Sequence, residues 1–346
     1  MRQRSRVAQR AAPAVGLLCG AVLAACGSGG SGGAAPVNPL DGVPSAAPAG
    51  TPAGVTPSAT PLPAPLTGRP ATSPEAAAVP IVAVAIDAGR APLAGLEQAD
   101  VVYVSFPSTG RQRGLALYQS QDAARVGPVG DTRPLDGKLL VALDAVLQHS
   151  GGPAGFVKQV GAAELPEWSS LVHTSSFTRD PATGQVYGST AAARQAPGAG
   201  PARGGLLLFA PPAPPPVTGP GPVEVRIPGQ PTSSLTYDLA SGTWRATVGA
   251  FSLSATNVVL QEVTYEPLVV PQTGGRTEGS PALEGAGKAT MLSGPVVDVG
   301  TWNRPGRTTN LKYVGGNGTP TRLQPGTTWV LLVPAGTGVT VPAPPS

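Results

Sequence analysis

The chain has 346 residues, of which 12% are charged and 4% aromatic, and its formal charge is +4. It carries 47 glycines and 42 prolines but only two cysteines and two histidines. So few thiols and imidazoles exclude a disulfide scaffold or a cysteine-rich metal site. Beyond the first ten residues no basic run offers a phosphate-tracking face, which argues against a nucleic-acid partner.

The opening segment MRQRSRVAQR holds Arg2, Arg4, Arg6 and Arg10 and no acid. A mostly apolar stretch follows, about 15 residues long and short of the ~20 a bilayer core requires. Basic head, short apolar middle and small-residue exit predict a secretory signal peptide over 1–25; an uncleaved anchor is the alternative. Leu23-Ala24-Ala25-Cys26 resembles a bacterial lipobox. That resemblance implies cleavage before Cys26, diacylglycerol on its sulfur and a further palmitate-like chain on the new amine. Loss of 1–25 removes four positive charges and takes the formal charge to zero. Cys19 leaves with the signal, so the mature chain would hold no free thiol.

Residues 26–78 are Gly, Ser, Ala, Pro and Thr with few large apolar groups. Such composition cannot offset its own ordering entropy and predicts a disordered tether. Its formal GxGxxG and GxSxG strings neither follow a strand nor open a helix, so they carry no phosphate-binding or nucleophile reading.

Folded structure is expected from Val79. Ile81–Ile86 reads as a buried strand, Val101–Phe106 and Gly114–Gln119 as two more, and Ala145–Gln148 as a strand end. Helices are expected at Leu93–Asp100, Leu135–Leu143, Ala154–Glu164 and Ser189–Ala196, with Gly205–Phe209 a closing strand. The fold class is therefore α+β: an N-terminal α/β layered domain over 79–210, followed by a β-rich C-terminal domain over 223–334. The proline run within 211–222 predicts a linker, because proline removes the amide donor that helix and sheet need. In the second half, short strands are expected at Val223–Ile227, Leu235–Asp238, Thr243–Thr247, Thr256–Tyr265, Gly287–Leu292, Val296–Trp302, Asn310–Val314 and Trp329–Val333. Residues 335–346 read as a tail, its final VPAPPS frayed.

Chemistry is sparse. Asp87 ends a buried strand, where ligand contacts gather in open sheets. An arginine such as Arg133 nearby would keep it ionised and could grip an oxyanion; a structural ion pair is the alternative. His149 precedes Ser150-Gly151-Gly152, so Ser150 is the best nucleophile candidate, with Asp144 or Asp87 to orient the base. No nucleophile motif surrounds it, and a hydrogen-bonding loop histidine is the competing reading. His173, 24 residues further on, has no nearby paired acids that would suggest zinc. Trp244, Trp302 and Trp329 lie in apolar alternation and read as core, although exposed together they could stack on sugars. Asp298 and Glu262 lack an acid partner for glycoside hydrolysis.

Several ordered stretches are distinctive: Val82–Asp87 (VAVAID), Gly95–Tyr103 (GLEQADVVY), Leu115–Ser120 (LALYQS), Arg125–Val129 (RVGPV) and His149–Gly152 (HSGG). Later come Ala255–Val259 (ATNVV), Gly287–Leu292 (GKATML), Gly300–Trp302 (GTW) and Leu323–Pro334 (LQPGTTWVLLVP). In this order the chain resembles the DUF3048, or YerB-like, bacterial lipoproteins from about Val79 to Pro334. The resemblance implies an extracytoplasmic lipoprotein and no established reaction. It carries over Asp87, Arg113, Arg133 and the Ser150-Gly151-Gly152 turn as ligand-binding candidates. It also shows departures: Ala88 where Asn is usual, Val104 and Ser108 at usually acidic positions, Gly130 for an arginine, and no Pro-His-Asn near Tyr187.

The expected function is a cell-membrane lipoprotein anchored through Cys26 on the extracytoplasmic face. It would act as a non-catalytic binding or scaffold protein, with an envelope protein or cell-wall component as partner and no cofactor. Two alternatives stay open. One is a hydrolase of envelope polymers using Asp87, Arg133, His149 and Ser150; the other is a solute-binding lipoprotein with a cleft between its halves.

Overall fold

Every residue from Val82 to Ile86 is buried, and so is every residue from Trp329 to Val333. Strands this apolar on both sides belong in the middle of a covered sheet. The computed structural model describes residues 62–341, apart from 91, 108–110, 205, 212–213, 215, 272–274 and 307–308. The signal segment, Cys26 and most of the expected tether lie outside the described residues.

The first half contains α1 (Pro74–Ala77), β1 (Val82–Asp87), β2 (Val101–Ser105), β3 (Arg113–Tyr118), α2 (Pro134–Leu140), β4 (Val146–His149) and α3 (Ala154–Gly161). It continues through β5 (Glu167–Ser169), β6 (Phe177–Arg179), β7 (Val186–Gly188) and α4 (Thr190–Ala193). The second half opens with β8 (Val223–Arg226), β9 (Ser233–Asp238), β10 (Thr243–Val248), β11 (Phe251–Ala255), β12 (Asn257–Val263) and β13 (Tyr265–Val270). It closes with β14 (Arg276–Pro281), β15 (Gly285–Ser293), β16 (Val296–Arg304), β17 (Lys312–Val314), β18 (Thr328–Pro334) and β19 (Gly338–Thr340). Strand dominates, with few and short helices, as in a strand-rich α+β protein. No helix among the described residues is long and apolar enough to cross a membrane.

Ten strands form one sheet in the order β17-β16-β15-β12-β18-β2-β3-β1-β4-β5. The halves join where β18 runs parallel to both β12 and β2, pairing Val330 with Val259 on one side and Tyr103 on the other. Period-two alternation then divides the core. Val82, Val84, Ile86, Val102, Val104, Leu331 and Val333 face one cluster with Trp244 and Phe251 from the second sheet. Ala83, Tyr103, Leu115, Val330 and Leu332 face the other, with Leu135, Leu139 and Leu140 of α2 and Val160 of α3. The second sheet, ordered β11-β10-β9-β8-β19, thus covers one side of the large sheet while α2 and α3 cover the other. All three tryptophans of the β-rich half are core residues, each at most 3% exposed.

Four expectations change. Ordered structure starts before Val79: Leu66 is fully buried, and its N–H meets Gln119 Oε1 at 3.4 Å. Ala64 and Thr67 are buried beside it, and the Thr67 carbonyl accepts from the Gly326 N–H at 2.8 Å. The helix expected over Leu93–Asp100 shortens to a single 3-10 turn, Leu96–Gln98. The strand expected at Gly205–Phe209 reduces to one bridge between Phe209 and Leu323. The tail contributes β19, whose main chain pairs with β8. That edge pairing needs backbone groups rather than an apolar pattern, so composition did not mark it.

Burial of four phenols gives the fold an alkaline limit. Tyr103, Tyr118, Tyr265 and Tyr313 are all held well above the ordinary phenol range, chiefly by desolvation. An acid whose folded-state value is raised contributes stability that is intact below its unfolded value, near pH ~10, and is lost as pH rises past it. Ultraviolet titration should therefore show these phenolates only together with unfolding. More than two of the six tyrosines ionising near pH ~10 with the far-ultraviolet dichroism intact would contradict this.

Candidate functional site

The parallel strands β1, β4 and β5 end at the same edge of the large sheet. Open sheets bind ligands outside the carboxyl ends of their parallel strands. A cleft of about 870 Å³ opens there, lined by Asp87 at the end of β1, Arg113 at the start of β3, Ser150 after β4, and Ser170 and Leu171 after β5. Arg133 precedes α2, and Arg276, Thr277 and Glu278 come from β14, so both halves of the chain build the walls.

One carboxylate organises the floor. Asp136 is wholly buried in the first turn of α2. It accepts from Arg113 Nη1 and Nη2 at 3.3 Å each, from Thr132 Oγ1 at 3.2 Å and from the Arg133 N–H at 2.8 Å. The last contact is the helix-capping geometry expected of an acid three residues past the cap, and Pro134 supplies the preset first helical φ. Arg113 also donates to the Asp131 carbonyl at 2.6 Å. Its donors are thus turned inward onto the protein, leaving its charge at the cleft floor.

Arg133 is held as firmly. Its Nε meets Glu278 Oε2 at 3.2 Å, its Nη1 meets the Thr132 carbonyl at 3.1 Å, and Asp131 lies 3.9 Å away. Its guanidinium also lies 5.7 Å from the Phe156 ring centroid. The Arg133–Glu278 pair spans the two halves of the chain. It fixes the β13–β14 hairpin over the cleft, while Tyr265 anchors the hairpin base by accepting from the Phe106 N–H at 2.7 Å and donating to the Leu332 carbonyl at 2.6 Å.

Asp87 faces different partners from the Arg133 expected of it. Arg90 lies 3.2 Å and Arg111 3.5 Å from its Oδ2, and its Oδ1 accepts from the Gly89 N–H at 3.1 Å. Both arginines are more than half exposed. Asp87 therefore holds two solvent-facing guanidinium groups side by side on the cleft wall.

The proposed Ser–His pair does not assemble. Ser150 Oγ donates to Asp131 Oδ1 at 3.3 Å. His149 is buried, and its Nδ1 faces the turn after β4, 3.0 Å from the Gly151 N and 3.1 Å from the Gly151 carbonyl oxygen; the other ring nitrogen is Nε2. That atom lies 3.5 Å from Glu167 Oε2. Asp144 pairs with Arg203 at 3.1 Å. His173 stacks on Trp168 with centroids 3.6 Å apart.

The glycines act through the backbone. Gly151 and Gly152 take φ values of 112° and 144°, and a Cβ at Gly152 would lie 3.1 Å from the Thr132 carbonyl oxygen. They let the turn after β4 close onto the 130–133 segment, which the Thr132 N–H to Gly151 carbonyl bond (2.7 Å) seals. Of the sequence candidates, Asp87, Arg113, Arg133 and Ser150 share the cleft, whereas His149 supports it from behind.

Arg90, Arg111, Asp136, Arg276 and Glu278 were not among the candidates read from the sequence. Only Asp136 left a trace, as the acid two residues after Pro134 at a helix start. The others come together through tertiary pairing alone.

Residues 66–200 match the family described as the N-terminal domain of a protein of unknown function, DUF3048, and residues 223–330 match its C-terminal domain. The chain belongs to this family. Among solved structures it is similar to the YerB protein from Bacillus subtilis, with a TM-score of 0.64 and 22% identity, covering 81% of this chain and 99% of that one. That likeness concerns the fold. The comparison with curated proteins returned no match. In both family-matched segments the cleft residues fall within the matched spans: Asp87 to Ser170 in the first, Arg276 to Glu278 in the second.

Removing Asp136 strands a mostly buried guanidinium and an unpaired helix cap. Asp136→Ala should lower unfolding stability by about 3 kcal/mol, the scale for breaking one side of a buried ion pair. Denaturant titration measures it, and a loss under ~1 kcal/mol, the scale of an exposed ion pair, would show that the carboxylate does not organise the floor.

Proposed function

We propose that the protein is a membrane-anchored lipoprotein of the extracytoplasmic face that binds an envelope component in this cleft, without catalysing its conversion. The carrying observation is that four of the sequence candidates meet Arg276 and Glu278 from the other half in one opening. A recognition site of this kind needs walls held in place before the ligand arrives. The Asp136 and Glu278 pairings supply that rigidity. A hydrolytic centre would need a base facing Ser150, and the nearest imidazole is turned to Gly151 and Glu167. Anchoring rests on the Leu23-Ala24-Ala25-Cys26 sequence after a short apolar run. A diacyl group there would hold the chain at the bilayer surface without a spanning helix.

Two experiments test the two parts. In cell fractionation, Cys26→Ser should move the protein from the membrane to the soluble or secreted fraction; unchanged membrane retention would contradict lipid anchoring. For the cleft, a photo-crosslinking side chain placed at Thr277 should trap an envelope component in intact cells. The same group at the exposed Thr236 on β9 should trap none. Equal adducts from both positions, or adducts from Thr236 alone, would contradict the cleft as the binding site.

A further inference from the structure

We infer that the ligand of this cleft is a polyanion of the envelope, a molecule presenting two or more phosphate or carboxylate groups along its length. The inference rests on the cleft being the binding site. Six arginines line the opening against three carboxylates, and the buried Asp136 behind Arg113 is a fourth, leaving an excess of two positive charges. The charges are also graded in use. Arg113 and Arg133 are saturated by Asp136, Glu278 and backbone carbonyls and form a fixed, charge-paired floor.

Arg90 and Arg111 share the single charge of Asp87 and keep more than half of their side-chain surface in solvent. Arg179 meets only the Gly184 carbonyl through Nη1, at 2.6 Å. Arg276 is exposed and makes no ion pair among the described residues. Guanidinium groups with open donors bind oxyanions in bidentate fashion. Four of them, supplied by separate segments around one opening, cannot converge on a single small anion as well as on a chain of them.

The cleft lies at one end of the β1–β3 ladder. Asp87 and Arg113, at the cleft, are register partners at one end of the β1–β3 ladder, and Val82 and Tyr118 are partners at the other. The chain enters the fold at that second end, where Leu66 binds Gln119 just past Tyr118. With six residues per strand, at about 3.3 Å each, the cleft opens some ~20 Å from the point where the N-terminal segment joins. Open guanidinium groups from four separate segments around one opening favour an anionic polymer of the envelope over single headgroups of the bilayer.

The test uses the full-length chain in a neutral detergent, with inorganic orthophosphate, linear tripolyphosphate and phosphatidylglycerol vesicles as probes. Tripolyphosphate should bind at least tenfold more tightly than orthophosphate, with an affinity that falls as salt rises. Arg111→Gln combined with Arg276→Gln should weaken it tenfold or more. Arg226→Gln combined with Arg245→Gln, which removes two exposed charges of the second sheet, should leave it unchanged. Equal affinity for the two phosphates, or equal loss in the two double variants, would overturn the inference. Arginine-dependent binding to vesicles without tripolyphosphate binding would overturn it in favour of a lipid surface. Adducts from position 277 with no polyanion affinity would sink this inference alone; loss of both would sink the cleft as a site.

Discussion

The parallel insertion of β18 between β12 and β2 is the constraint on which the molecule rests. Seven residues from the end of the chain pair with seven of β12 and five of β2. Their side chains alternate between the two cores, Trp329, Leu331 and Val333 on one side and Val330 and Leu332 on the other. Each fully buried aliphatic or aromatic residue of this kind contributes on the order of 1.5–3 kcal/mol. The two family-matched segments therefore share one sheet and one pair of cores. A parallel central strand also joins residues more than 200 apart in sequence. Its loop-closure cost is met only when the rest of the sheet is formed.

The cleft inherits its shape from that joint. The β13–β14 hairpin leaves the sheet directly after β12, and Tyr265 ties its base to Leu332 of β18 and to Phe106 just past β2. Glu278 then reaches Arg133 across the opening. A shift of β18 by one residue would exchange its two faces between the cores. It would also pull Tyr265 from the Leu332 carbonyl and Glu278 from Arg133. The same ladder that closes the core thus sets the spacing of the charged wall.

Legibility in the sequence followed the physics of each element. IVAVAI, VVYVS and TWVLLV are apolar at consecutive positions because both sides are covered, and such strands announce themselves. RTEGSP in β14 and GVT in β19 have no such pattern; edge and hairpin pairing there depends on main-chain hydrogen bonds. Ala64, Leu66 and Thr67 anchor a proline-rich run, too few residues to register in any averaged composition. In the site, Asp87 and Ser150 were readable because each follows an apolar strand. The resemblance to DUF3048 proteins pointed to Arg113 and Arg133, and both turned out to be clamped by partners rather than open to a ligand. The exposed arginines, Arg90, Arg111 and Arg276, carry no local signal, since only tertiary structure brings them to one opening.

Native-state hydrogen exchange across the large sheet tests the shared-sheet account most directly. Amides of β2, β12 and β18 should exchange through one global opening, with the same free energy and the same denaturant dependence. Two separate levels, with β2 opening while β12 and β18 remain protected, would mean that the halves are stable independently and that the joint does not govern the cleft.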